Sequence, residues 1–288
     1  KTNRLLYNNP KNYKNEKFHD YRAERITSYL NLVDKIVKEK FENFKTELAE
    51  SKTALENFVS MLPNTSDIKK GFQNLLDDGI AFKENIQNYI ETHLFPGEID
   101  VNIMTKLDKD NFIKNEQLPI EFNDAHAALR GFANSNLESS VVLSAGMNPR
   151  LFGYFENFKD FFPNENNELK KKIILKVSDF RSAMIQGNFL AKKGLWVSEY
   201  RIESGLNCGG HAFATDGLLL GTILEEFKQK KDQLIQSAHE LMIKALQTKN
   251  QHFPENPLEL KITVQGGVGT AAEHEFLLDE YKVDSVGW

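Results

Sequence analysis

Hydrophobic positions in residues 1–95 follow a helical period. From Ile26 onward, apolar residues recur every three or four positions, which predicts one face of a long amphipathic helix. Ser51 is a candidate N-cap for a second helix, and two further helical patterns follow, the last over residues 80–94. The region has no glycine-rich loop and no cluster of catalytic residue types. We therefore predict a helical packing layer or insertion, with an oligomerisation helix that makes a homo-oligomer as the alternative.

The pattern changes after the break "FPGE" at residues 95–98. From there, short apolar runs rich in β-branched residues alternate with helical patterns. The runs predicted as strands lie at residues 99–106, 139–146, 171–178, 195–204, 258–265 and 283–288. Such alternation, without a strong hairpin signal, is typical of βα units around a parallel sheet. The sheet either closes into a barrel or stays open, and in both cases ligands bind at the carboxyl ends of the strands.

Composition narrows the classes of function. The chain has 288 residues, of which 40% are hydrophobic, so it can bury a sizeable core. Its net charge of −5 argues against a general nucleic-acid binder, and no apolar run approaches the ~20 residues of a membrane span. The single cysteine, Cys208, excludes an internal disulfide and a C-x-x-C zinc site, which favours a reducing, cytoplasmic compartment. Because the chain begins at Lys1 and ends on a strand-like run, we expect a fragment of a longer protein.

A glycine-rich stretch, "ESGLNCGGHAFATDG" at residues 203–217, lies at a strand-to-helix junction. Gly209 and Gly210 permit close approach of a ligand to the backbone. His211 follows them directly, where it can donate to a ligand oxygen or act as an acid or base near neutral pH. The alternative is a surface histidine that helps to start a helix.

A second glycine-rich turn, "GGVG" at residues 266–269, follows the fifth predicted strand. Backbone N–H groups in such a turn, with the N-terminus of the next helix, bind phosphate. The segment also fits a loose G-x-G-x-x-A dinucleotide fingerprint, but Asp284 opens the next strand instead of ending it. A turn that binds no ligand is the alternative interpretation.

A lysine interrupts the third predicted strand. Lys176 lies in "ILKVS", and a lysine among apolar strand residues is rarely buried without an anionic partner. The N1–C2=O edge of a reduced flavin is one such partner. A lysine that reaches solvent from a strand end is the alternative, and Lys106 presents the same two interpretations.

These motifs together resemble one enzyme family. "GLNCGGH" resembles the G-x-E-A-G-G-H loop of FMN-dependent nitronate monooxygenases and of the related flavin-type enoyl-acyl-carrier-protein reductases. "ITVQGGVGT" resembles their glycine turn, and "IDVNIMT" and "VDSVGW" resemble two of their strands, in the same order over residues 95–288. The resemblance implies an α/β fold, an incomplete FMN-binding TIM barrel of about six βα units over residues 96–288. Residues 1–95 are then the helical region.

The resemblance also implies roles for single residues. His211 takes the place of the active-site histidine, and Asn102 that of an asparagine on the third barrel strand. The residues implied to bind FMN through their loops are Gly209, Gly210, Gly266 and Gly267. Lys176 is added as a cofactor contact because of its place in a strand. Asn207 and Cys208 replace the family's Glu and Ala, and "SAGMNP" also departs from the pattern, which argues against a nitronate substrate.

The sequence therefore predicts an FMN-dependent oxidoreductase that acts on a small-molecule substrate, without a metal. Two alternatives stay open. One is an NAD(P)-dependent dehydrogenase on an open sheet, and the other is a non-catalytic binding or scaffold protein on a degenerate barrel.

Overall fold

The computed structural model describes residues 20–64, 66–77, 82–103, 108–203, 220–266 and 268–287. The chain divides into a helical unit around residues 29–98 and an α/β unit that combines residues 20–28 with the residues from 99 onward.

Four helices supply the helical unit: α1 (Tyr21–Glu50, which starts in the α/β unit), α2 (Lys52–Met61), α3 (Asp67–Asp77) and α4 (Phe82–His93). The predicted cap of the second helix is confirmed, because the Ser51 side chain accepts a hydrogen bond from the Ala54 N–H at 3.2 Å. The buried core of this unit consists of Leu48, Leu55, Val59, Phe72, Ile86, Ile90 and Leu94. Edge-to-face ring contacts link Phe44, Phe58, Phe72 and Tyr89 beside this core.

The α/β unit is built on a parallel sheet. Its strands are β1 (Val101–Ile103), β4 (Ser139–Leu143), β5 (Lys171–Val177), β6 (Val197–Glu203), β7 (Lys261–Gln265) and β8 (Ser285–Gly287). They pair in the order β1-β4-β5-β6-β7-β8, each parallel to its neighbour. All six lie within the predicted strand ranges, which confirms the α/β class. Among the described residues, β1 and β8 each pair on one side only, so no closed barrel is formed there.

Helices follow the strands as the alternation predicts. They are α5 (Asp124–Ala133), α6 (Pro149–Tyr154), α7 (Phe180–Ala191), α8 (Leu220–Thr248) and α9 (Ala271–Tyr281). Short 3-10 turns lie at Ile120–Phe122, Phe155–Asn157 and Lys159–Phe161. Helices α7 and α8 meet through an edge-to-face contact between Phe180 and Phe227, with ring centroids 5.3 Å apart.

A small hairpin was not predicted from the sequence. β2 (Phe112–Ile113) and β3 (Glu116–Gln117) pair antiparallel around a two-residue turn. Lys114 and Asn115 in this turn have φ angles of 48° and 69°. Positive φ at both central positions is the geometry of a type I′ turn, which usually contains glycine. Lys-Asn lacks that glycine, so the turn carries no strong hairpin signal.

The two faces of the parallel sheet differ in polarity. Residues paired in register on parallel strands point to the same face. One register row runs through Leu143, Leu175, Tyr200 and Ile262, all of them buried. The next row runs through Lys176, Arg201 and Thr263 on the other face.

Helix α7 packs on the apolar face. Tyr200 lies so close to Gly187 of this helix that a Cβ at Gly187 would collide with the tyrosine hydroxyl. Complete burial raises the pKa of the Tyr200 hydroxyl well above its ordinary value. The opposite face carries the charged side chains Lys176, Glu199 and Arg201, and we call it the polar face.

Candidate functional site

The carboxyl ends of all six parallel strands lie at one edge of the sheet. Because the strands are parallel and adjacent, the residues that follow Leu143, Val177 and Gln265 emerge on the same side. This is the edge at which α/β proteins of this kind bind ligands. Three of the predicted site residues, Asn102, Lys176 and Gly266, are described here.

Lys176 forms an ion pair inside the protein. Its Nζ atom lies 2.5 Å from Oε1 of Glu203 on the adjacent strand β6. The two side chains are only 13% and 10% exposed. The anionic partner expected for a lysine in this strand is therefore a carboxylate of the protein, and a role towards a cofactor stays a prediction.

A second charged network lies next to this pair on the polar face. The Arg201 guanidinium donates to Glu199 through Nε at 2.8 Å and to Asp100 through Nη2 at 3.4 Å. Glu199 also accepts a hydrogen bond from the Thr263 hydroxyl at 2.5 Å. Burial lowers the pKa of Arg201, but the hydrogen bond with Glu199 and the nearby charges outweigh it, so this pKa lies above its ordinary value.

This network was not predicted from the sequence, although strand β6 contains a clear indication of it. Glu199, Arg201 and Glu203 occupy every second position, while Tyr200 and Ile202 between them are fully buried. A period of two with charge on one face predicts a strand whose polar face lines a site or meets solvent.

In the glycine turn after β7, backbone N–H groups already form hydrogen bonds within the protein. Gly266 has φ of +93°, the left-handed region that favours glycine. Its N–H donates to the Gly287 carbonyl at 3.0 Å, which extends the pairing of β7 with β8. The Gly266 N–H is therefore already bonded within the sheet, and a role of this residue in binding FMN stays a prediction.

An internal carboxylate binds the donors at the start of α9. Glu273 accepts hydrogen bonds from the N–H of Gly269 at 2.8 Å and of Thr270 at 3.0 Å, and from the Thr270 hydroxyl at 3.1 Å. Thr270 in turn caps the Glu273 N–H, which completes a capping box. The hydrogen bond from Gly269, followed by those from Thr270, lowers the pKa of Glu273 below its ordinary value. These donors are thus arranged to bind an anion.

The remaining predicted site residues fall into two groups. Asn102 lies on β1, is exposed, and pairs in register with Val142 and through it with Ile174. It therefore belongs to the same face as Lys176. Gly209, Gly210, His211 and Gly267 lie outside the described residues, as do Cys208 and Lys106.

No group of three or more His, Cys, Asp or Glu side chains in the described ranges is placed to hold a metal ion. None of the helices described above combines the length and the apolar character needed to cross a bilayer.

Comparison with known proteins gives no relative. No family model, no curated protein and no solved structure matches this chain. The resemblance to the nitronate monooxygenases therefore rests on the sequence motifs alone.

Proposed function

We propose that the protein is an FMN-dependent oxidoreductase, and that its sheet is part of a (β/α)8-type barrel. The observation that supports this best is the strand order, in which every strand of the sheet is parallel to the one before it in the chain. A barrel of this type has that order throughout. A dinucleotide-binding open sheet reverses its order where the cofactor binds, and the described strands contain no reversal. The order therefore favours the flavin barrel over the dehydrogenase.

The turn after β7 suits the phosphate of FMN. The N–H groups of Gly269 and Thr270 bind the exposed carboxylate of Glu273, which stands in for an anionic ligand. A phosphate would bind there in exchange for this carboxylate, next to the positive end of α9. Gly266 contributes the backbone conformation of the turn, and not its N–H.

The polar face suits the flavin ring. Lys176 and Asn102 project from it, and Lys176 would share its charge between Glu203 and the flavin. FMN supplies the redox chemistry when it is bound, and the protein supplies position and charge. We assign His211 the role of hydrogen-bonding or protonating a substrate oxygen, or of taking a proton next to a nitro or carbonyl group.

The test is FMN binding to the purified full-length protein. We expect the protein to be yellow, or to quench the fluorescence of added FMN. Gly210→Val should abolish binding because a branched side chain blocks the approach of the cofactor. Gly97→Val is the matched control, since a Cβ at Gly97 has no neighbour within 4 Å.

His211→Ala separates binding from chemistry. The variant should bind FMN like the wild type and reduce it with substrate about 10²–10⁴-fold more slowly. A colourless wild-type protein that takes up no FMN would refute the FMN-dependent oxidoreductase, and the scaffold alternative would then stand if no nicotinamide cofactor binds either. Binding of a nicotinamide cofactor without flavin would favour the dehydrogenase.

A further inference from the structure

Two residues at the carboxyl edge of the polar face form a nearly buried ion pair. Lys176 is the last residue but one of β5, and Glu203 is the last residue of β6. The Lys176 Nζ atom lies 2.5 Å from Oε1 of Glu203, and the two side chains are 13% and 10% exposed. The pair is therefore shielded from bulk solvent but keeps some surface at the edge where ligands bind.

The polar face is concave around this pair. Asp100, directly before β1, accepts a hydrogen bond from Nη2 of Arg201 on β6 at 3.4 Å. Strands β4 and β5 lie between β1 and β6, and on a flat sheet three strand spacings would separate β1 from β6 by roughly 14 Å. The sheet thus curves towards its polar face, so a ligand at its carboxyl edge meets side chains from several strands at once.

The ion pair holds an ammonium whose charge is partly neutralised. An ammonium has three N–H bonds, and the contact with Glu203 uses one of them. The other donors suit a group that gains negative charge, such as the N1–C2=O edge of a flavin on reduction. The Glu203 carboxylate opposes that stabilisation, because charges interact more strongly where water is scarce. Lys176 therefore favours the reduced cofactor, and Glu203 disfavours it.

We propose, on the basis of the FMN site proposed above, that Glu203 lowers the redox potential of bound FMN by holding the Lys176 ammonium. Two electrons and one proton from the substrate convert FMN to its anionic reduced form. Lys176 stabilises this anion to the extent that Glu203 leaves its charge free. Glu203 is thus a positioning residue that acts on the cofactor through Lys176.

Glu199 provides a matched control on the same strand and the same face. It is 13% exposed and accepts from Nε of Arg201 at 2.8 Å, so it is also a shielded carboxylate with a cationic partner. It precedes Glu203 by four residues, which places it roughly 13 Å further from the carboxyl edge of β6. Loss of a shielded ion pair is common to changes at both residues, whereas an effect on the cofactor is expected at Glu203 alone.

The experiment measures the redox potential of FMN in the full-length protein by equilibrium titration against a dye of known potential. Glu203→Gln should favour the reduced over the oxidised cofactor about tenfold, which raises the potential by ~30 mV for a two-electron couple. Glu203→Asp keeps the charge and should stay near the wild type. Glu199→Gln should leave the potential unchanged. Equal potentials in the wild type and Glu203→Gln refute the proposal, and so does an equal rise in Glu199→Gln.

A second set of variants tests whether Glu203 acts through Lys176. Lys176→Met should lower the potential, because it removes the cation and keeps the carboxylate. Adding Glu203→Gln to Lys176→Met should shift the potential less than Glu203→Gln does in the wild type. Equal shifts in the two backgrounds refute the route through Lys176. If Glu203→Gln does not fold or does not hold FMN, Lys176→Met decides, and an unchanged potential in that variant refutes the proposal.

The outcomes separate this proposal from the proposed function. A wild-type protein that takes up no FMN refutes both. A wild-type protein that binds FMN with a potential that does not respond to Glu203→Gln refutes the role of Glu203 alone, and the FMN-dependent oxidoreductase then stands.

Discussion

Two places at the carboxyl edge of the sheet differ in whether their polar atoms have hydrogen-bond partners. At the turn after β7, the N–H groups of Gly269 and Thr270 bind the carboxylate of Glu273. At the start of α5, Asn123 keeps a buried oxygen that bonds to nothing among the residues the structure describes. The glycines make the first place conspicuous in the sequence, whereas the second has no motif. A motif thus indicates where a ligand can approach, whereas an unsatisfied buried atom is visible only in the tertiary structure.

The largest effect on the free energy of unfolding is expected at the start of α5, from Asp108→Ala. This change leaves the Ala125 N–H and the buried His126 without their acceptor. We expect a loss of about 2–3 kcal/mol in the free energy of unfolding, measured by urea denaturation. Asp108→Asn retains an acceptor and should cost about half as much. Equal stability of the alanine variant and the wild type would contradict the structural role of Asp108.

A smaller effect is expected on the polar face, from Lys176→Met. The change leaves Glu203 as a largely buried carboxylate without its partner. We expect a loss of about 1–2 kcal/mol by urea denaturation, less than for a fully buried pair because both side chains keep some exposure.

The double variant Lys176→Met/Glu203→Gln should recover part of the stability, because it removes both charges. Lys192→Met, at an exposed lysine, is the control and should change little. If the single and double variants are equally unstable, the loss comes from packing and not from the ion pair.

At the glycine turn, Glu273→Ala should act on binding more than on stability. It removes the carboxylate that competes with a phosphate for the N–H groups of Gly269 and Thr270. We expect FMN to bind more tightly, by up to roughly fivefold, as for one charge at a helix terminus. Fluorescence titration measures this, with Glu275→Ala on the same helix as control. Unchanged or weaker FMN binding would place the phosphate elsewhere.

The smallest expected effect is a fall in the free energy of unfolding at acid pH. Burial raises the pKa of Glu156, but hydrogen bonds from Lys193 and Lys249 outweigh it, so this pKa is lowered, as is that of Glu273. Both carboxylates bind protons more weakly in the folded state. Their stabilisation is present above the ordinary glutamate pKa, near ~4.3, and is lost as the pH falls below it. Between neutral and acid pH, the free energy of unfolding measured by urea denaturation should decline less steeply for Glu156→Gln than for the wild type. An unchanged slope would contradict the assignment.

The sequence predicted the regular elements well because they depend on local patterns. Six strands lie within the predicted ranges, and Ser51 caps α2 as predicted. The β2–β3 hairpin was missed because Lys114 and Asn115 adopt positive φ without a glycine.

The site was less predictable because its contacts join distant residues. Lys176 was expected to need an anion, but only the register of β5 and β6 shows that Glu203 provides it. Asn123 is at the N-cap position of α5, but the capping hydrogen bond comes from Asp108, which lies 15 residues earlier in the chain. Local sequence indicates which kind of partner a side chain requires, and the tertiary fold determines which residue provides it.

The consecutive strand order also bears on how the sheet forms. Each strand pairs with the sheet strand that precedes it in the chain, so every pairing closes one βα connection and none spans the whole unit. Short loop closures cost less entropy and favour faster folding than pairings between distant segments. During synthesis, each new strand of residues 99–288 can therefore add to an edge that already exists, in the order in which the ribosome delivers it.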